Sequence, residues 1–397
     1  MQLNPDFSDL QPYIANGPYA SALKTCVSIV NESDSCSLNT LPPIGLNNTI
    51  PTIDDILNHV VVSHPWMGDR MRDLLEQMPA DMLLLLRANT AIVIDADIRP
   101  AYFWSATGAI YIDPAFLWTT NEEKATIDQT EDFRSSFGNE LLFKPLWRYI
   151  IDDFYAWTSY SLTGDEVRTT ADTLVLTTWL FYHELAHAND CLPPAELANL
   201  TAGDSYYTNF VTINNRGGCI HDQLTAMEPL TSTVWSSLGS VLYRGADATT
   251  QQKTMSSEFV GTEFSNDVAS DTYSYSSIWE DTAMLFEEVM MKRTFNADRD
   301  IIIVDAYEEF SCAQVLVRWG QRGRLGNPLV IERAQFIMAQ LLPELDMDEF
   351  FANQPTPTQS TVGISYCLNT PTAQSQLTGS GKVKFDELQI LNQLEIE

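Results

Sequence analysis

Trp179-Leu180-Phe181-Tyr182-His183-Glu184-Leu185-Ala186-His187 is the stretch from which the rest of this chain is read. Residues four apart on a helix share one face, so His183 and His187 project one turn apart and can grip a single Zn²⁺. Glu184 stands beside them, awkward as a ligand but suited to take a proton from an attacking water. The helix itself follows from other residues. Positions 174–185 are apolar on nearly every side apart from Thr177, Thr178 and the site residues, and Pro193-Pro194 blocks continuation. The pattern predicts a helix over about 167–189. Its apolar run falls well short of the ~20 residues that cross a bilayer, so it is expected in a protein core. With five His in 397 residues, a chance H-E-x-x-H is rare.

Catalytic zinc takes three protein ligands and keeps a fourth position open. The metzincin extension would require Gly at 190 and His or Asp at 193, whereas this chain has Asp190 and Pro193. A Glu from a second helix is the other common solution, and Ser277-Ile278-Trp279-Glu280-Asp281-Thr282-Ala283-Met284-Leu285-Phe286-Glu287 offers one. Here the chain resembles the gluzincin group of metallopeptidases, whose second helix in several bacterial members carries a similar E-D-x-A-x-x-F segment. The resemblance covers the two helices and at most the strand before them, and implies that Glu280 is the third ligand; Glu287, two turns on and on the same face, is the fallback. It departs from the best-known gluzincin pattern at Met284, where that group has an Asp orienting a zinc-bound His. Asp190, Asp281 and Glu287 are the candidates for that orienting role. Ser277-x-x-Glu280 also reads as a capping box, which would spend the Glu280 carboxylate on its own helix terminus. Some gluzincins place a Tyr just upstream as oxyanion donor, which points to Tyr273 or Tyr275.

The balance of 22 basic against 53 acidic residues, −31 overall, argues against nucleic acid and anionic membranes as partners. The 45% hydrophobic content is enough for a sizeable core. Cys26, Cys36, Cys191, Cys219, Cys312 and Cys367 contain no C-x-x-C, so thiolate metal sites are not expected and disulfides are. Joining sequence neighbours gives Cys26–Cys36, Cys191–Cys219 and Cys312–Cys367. Residues 1–6 have neither a basic nor an apolar leader region, which leaves a cytosolic protein or an exported one whose leader is removed. The cysteines and the acidity favour export to the periplasm, cell surface or medium.

Along the chain, residues 1–50 read as a wrapping arm rich in Asn, Pro, Ser and Gly. Helical patterns follow at about 52–63, 66–78 and 79–88, then strand-like runs at 90–95 and 109–113. Zincins carry a small sheet before the active-site helix, and residues 106–113 read either as its edge strand, against which an extended peptide would lie, or as an ordinary interior hairpin strand. A helix is expected at about 140–160, and a strand at 300–305. His59, His64 and His221 read as solvated or capped histidines. Arg318, Arg322, Arg324 and Arg333 form either an ion-pair network or an anion-binding patch. Residues 353–397 form a polar tail with helical spacing at 385–394.

These observations predict a mostly helical α+β chain with a zincin-like core over 51–352. A sheet-bearing part spans about 51–165 and a helical part about 166–352. His183, His187 and Glu280 would hold Zn²⁺ and Glu184 would act as general base on a peptide or protein substrate. The alternative is a non-catalytic exported binding protein that keeps the scaffold and its zinc.

Overall fold

A computed structural model describes residues 6–130, 132–308 and 310–368. It is a mixed α+β structure in which helix outweighs strand, with two five-stranded sheets. The first contains β1 (Gln11–Pro12), β2 (Val60–Val62), β3 (Ala91–Ile94), β4 (Tyr102–Trp104) and β5 (Ala109–Ile112), in the order β1-β2-β3-β5-β4. β2, β3 and β5 run parallel, and both edge strands are antiparallel to their neighbours. Continuous apolar runs suit the parallel centre because both faces are covered. Ile92, Ile94, Ile110 and Ile112 point into the main core, whereas Val93, Ala109 and Tyr111 face Leu23, Cys26 and Val27 of the helix Ala20–Val27.

The second sheet is antiparallel, with β6 (Phe143–Ile151), β7 (Phe154–Tyr155), β8 (Asp298–Asp305), β9 (Val317–Arg322) and β10 (Thr358–Gln359) in the order β10-β9-β8-β6-β7. Its alternation is regular. Phe143, Trp147, Tyr149, Ile301 and Ile303 join the main core, and Leu146, Ile302, Val304 and Val317 form a separate cluster on the far face. On that far face Arg148 pairs with Asp300 at 2.8 Å, both side chains 1% exposed. The helix Thr170–Asp190 packs its Leu180, Phe181 and Leu185 into the core shared by the two sheets.

Several expectations need correction. Residues 140–160 are strand, not helix: Pro145 lacks the N–H a helix interior needs, and the aromatic and β-branched residues around it suit a pleated surface. The helix expected over 52–63 stops at Leu57, and Val60–Val62 becomes β2. Residues 106–113 do not supply an edge, since β5 lies between β3 and β4; β4 is the edge. The N-terminal arm is woven into the first sheet through β1 rather than wrapped outside it. The 300–305 strand is present as part of β8. The helical spacing at 385–394 lies outside the described residues.

Three disulfides join Cys26–Cys36, Cys191–Cys219 and Cys312–Cys367. Among the described residues no helix is long and apolar enough to cross a membrane.

His59, expected at the surface, is buried immediately before β2, where its Nδ1–H donates to the Thr90 carbonyl at 2.6 Å. Burial pushes its pKa down to about 4, even though Thr90 and Asp55 favour the charged form. Below about pH 6.5 the unfolded chain therefore takes up a proton that the folded chain refuses. Stability should fall as pH drops from about 6.5 to about 4, by about 3 kcal/mol from this group. Urea denaturation across that range should show the loss in the wild type, and His59→Gln should lack this component.

Candidate metal centre

The helix Thr170–Asp190 begins with a capping box: the Thr169 hydroxyl accepts from the Asp172 N–H, and the Asp172 carboxylate accepts from the Thr169 N–H at 2.7 Å. Two of its buried polar side chains anchor it to neighbouring segments. Thr177 donates to the Phe116 carbonyl and Asn189 to the Leu85 carbonyl. The helix is thereby fixed in rotation, with His183 and His187 turned toward the helix Ile278–Phe295. In that second helix the Ser277 hydroxyl accepts from the Glu280 N–H at 3.2 Å. The Glu280 carboxylate does not return to Ser277; it reaches across to the histidines.

The three groups converge. Glu280 Oε1 lies 2.9 Å from His187 Nε2, and Glu280 Oε2 lies 3.2 Å from His183 Nε2. The two Nε2 atoms are 3.3 Å apart. Ligands around a tetrahedral zinc, with bonds of about 2.0–2.1 Å, stand about 3.3 Å from one another. The donor set and its spacing therefore fit a zinc ion. Burial works against charge on Glu280, yet His187 and His183 hold its pKa down to about 2. Burial likewise opposes charge on His187, and the Glu280 carboxylate nevertheless raises its pKa.

His183 is oriented from behind by Glu287, whose Oε2 lies 3.1 Å from its Nδ1. A proton on Nδ1 leaves the Nε2 lone pair free for a metal. Glu287 is fully buried, accepts from the Tyr149 hydroxyl at 3.2 Å and pairs with Arg299. Arg299 also reaches Asp271 at 3.3 Å and sits over the rings of Trp147 and Tyr149. A chain of alternating charge thus runs from the site to β8. Glu287 stands on the Nδ1 side of His183, the position of an orienting group, and not on the Nε2 side where Glu280 lies. Asp190 and Asp281 are committed elsewhere: Asp190 accepts from the His221 N–H and binds its ring, and Asp281 pairs with Arg333. Cys191, Cys219 and His221 also cluster, but both sulfurs are consumed in a disulfide.

No protein-family model, curated protein or solved structure matches this chain.

Glu184 is 2% exposed, its Oε2 has no hydrogen-bond partner, and burial pushes its pKa up against the pull of His183 and His187. It lines a cleft of about 340 Å³ together with His187 and Glu280. Residues 101–105, which include β4, form one wall; Tyr207, Phe210 and Trp279 line the cleft with them. Sequence reasoning missed β4, although three consecutive aromatic-ring residues after Arg99-Pro100 are a strand signal. It also missed Arg299. Tyr273 lies close, its ring 6.4 Å from His183 and its buried hydroxyl without a hydrogen-bond partner among the described residues. The Tyr275 hydroxyl donates to Asp267 at 2.8 Å and is not available to the site. Arg318 pairs with Asp305, Arg322 with Asp300 and Asp153, and buried Arg324 donates to the Ala269 and Asp267 carbonyls. None of them lines the cleft, so the structure assembles an ion-pair network there rather than an anion patch.

Removing an orienting group typically costs ten- to a hundred-fold in metal affinity. Glu287→Gln should weaken zinc binding by about that factor in a chelator competition assay. His187→Ala, which deletes a ligand, should lose more, and Asp281→Asn should leave affinity unchanged. Arg299→Leu, which leaves buried carboxylates unpaired, should destabilise the fold by about 3–5 kcal/mol.

Proposed function

We propose that this chain is an exported zinc metallopeptidase of the gluzincin type, with a zincin-like core. The convergence of His183 Nε2, His187 Nε2 and the Glu280 carboxylate at ligand spacing, beside a cleft, carries this reading. Zinc bound there supplies Lewis acidity, polarising a carbonyl and lowering the pKa of water. The other parts belong to the chain. Glu184 takes the proton of the attacking water and hands it to the leaving amine. Edge strand β4 gives an extended peptide a ladder to pair with across the cleft. Tyr273 is the remaining donor candidate for the developing oxyanion, because Tyr275 is engaged.

The second helix departs from the best-known gluzincin arrangement at Met284, and Glu287, two turns after Glu280, takes over the orientation of His183. Three disulfides and a net charge of −31 support an extracytoplasmic setting.

The division of labour gives opposite phenotypes. Glu184→Gln should keep its zinc while losing about 10²–10⁴ of its peptide hydrolysis rate. Glu280→Ala should lose zinc affinity together with activity, since a ligand is gone. Assays of metal content and of hydrolysis on both variants check this. Zinc loss from Glu184→Gln, or full zinc retention by Glu280→Ala, contradicts the assignment. Stable zinc without hydrolysis of any peptide by the wild type would favour the binding-protein alternative.

A further inference from the structure

The backbone of the cleft wall enters the hydrolytic reading, but its side chains do not. Tyr102, Phe103, Trp104, Tyr207, Phe210 and Trp279, all half-buried, are among the residues lining the cleft, and no lysine or arginine lines it. Arg134, whose charge acts on Glu184, is buried and paired with Asp132 at 2.6 Å. At the mouth stands Glu32, an exposed carboxylate with no ion-pair partner among the described residues. Its position is built rather than incidental. Glu32 opens a 3₁₀ turn (Glu32–Asp34) inside the loop closed by Cys26–Cys36. That loop is pinned to the helix Tyr206–Asn215, because Ser35 Oγ accepts from the Tyr207 N–H at 3.2 Å and the Cys36 carbonyl from the Tyr206 N–H at 3.1 Å. The same helix supplies Tyr207 and Phe210 to the wall. Deeper in the cleft, Glu184 Oε2 is buried without a partner, an independent sign that the space is shaped for a ligand.

We propose that this cleft selects peptides carrying an arginine or lysine side chain, with the cation held between the aromatic wall and Glu32; the substrate class rests on the peptidase reading above. Guanidinium and ammonium groups gain from aromatic faces and from a carboxylate together, and neither partner here is neutralised by a cation of the cleft lining. An anionic side chain would meet the acidic rim and be repelled. The lining also offers no cation to a terminal carboxylate, so internal segments of a chain fit better than C-termini.

The test uses the full zinc-loaded chain and a set of peptides that differ at one residue, Arg, Gln or Glu. Hydrolysis is measured with the wild type, and binding by fluorescence anisotropy with Glu184→Gln. The Arg peptide should be favoured over Gln by about five-fold or more at low salt, mainly in KM, with the advantage shrinking as salt rises. Glu32→Gln should remove most of that advantage and Glu32→Lys should invert it. Both are surface changes, compatible with folding. Equal binding of the Arg, Gln and Glu peptides overturns the proposal, as does an Arg preference untouched by Glu32 substitution. If the Arg peptide binds preferentially but the wild type cleaves nothing, the selectivity stands and the peptidase reading fails. If nothing binds, the selectivity itself is rejected.

Discussion

Two buried helices meet here with imidazoles and carboxylates between them, and the rest of the structure depends on how that charge is balanced. Glu184, Glu280, Glu287 and Asp271 are four carboxylates at most 3% exposed, and of these only Glu287 and Asp271 pair with an equally buried guanidinium, Arg299, among the described residues. Leaving such groups uncompensated would cost several kcal/mol each. The two imidazoles take up part of the excess, and a divalent cation between them would take up more. A bound cation would account for this charge where packing alone does not.

The two sheets divide the work of holding that arrangement. Through Trp147, Tyr149 and Arg299, strands β6 and β8 form the dry back of the site and fix Glu287, which fixes His183. The first sheet forms the front. Its edge strand β4 and the loop tied by Cys26–Cys36 both line the cleft. Beyond the site, the Cys191–Cys219 disulfide and the Asp190–His221 pair lock the end of the histidine helix to the helix Ile220–Met227. The C-terminal end of the helix is thus braced one turn from His187.

The legible parts of the site were those carried by local spacing. His183, Glu184 and His187 are recognisable because one helix turn brings them together, and Ser277 marks where the second helix begins. Choosing Glu280 over its capping role needed the other helix to be seen, and so did moving Glu287 from fallback ligand to orienting group. The disulfides followed sequence proximity. What failed was non-local. The segment 140–160 reads as helical by its apolar content, and only pairing with β8 over eight registered positions makes it a strand. The candidate edge at 106–113 has strand composition, but whether a strand is central or marginal depends on neighbours far along the chain. Arg299 gave no local signal at all, because its partners Glu287 and Asp271 come from other elements. Glu32 was invisible for the same reason.

The most direct test of the central claim is a crystal structure of the zinc-loaded protein with data collected on both sides of the zinc absorption edge. The account predicts one anomalous peak bounded by His183 Nε2, His187 Nε2 and Glu280, with the remaining coordination position open to the cleft. No peak there, or a peak closed by a fourth protein ligand, would contradict it.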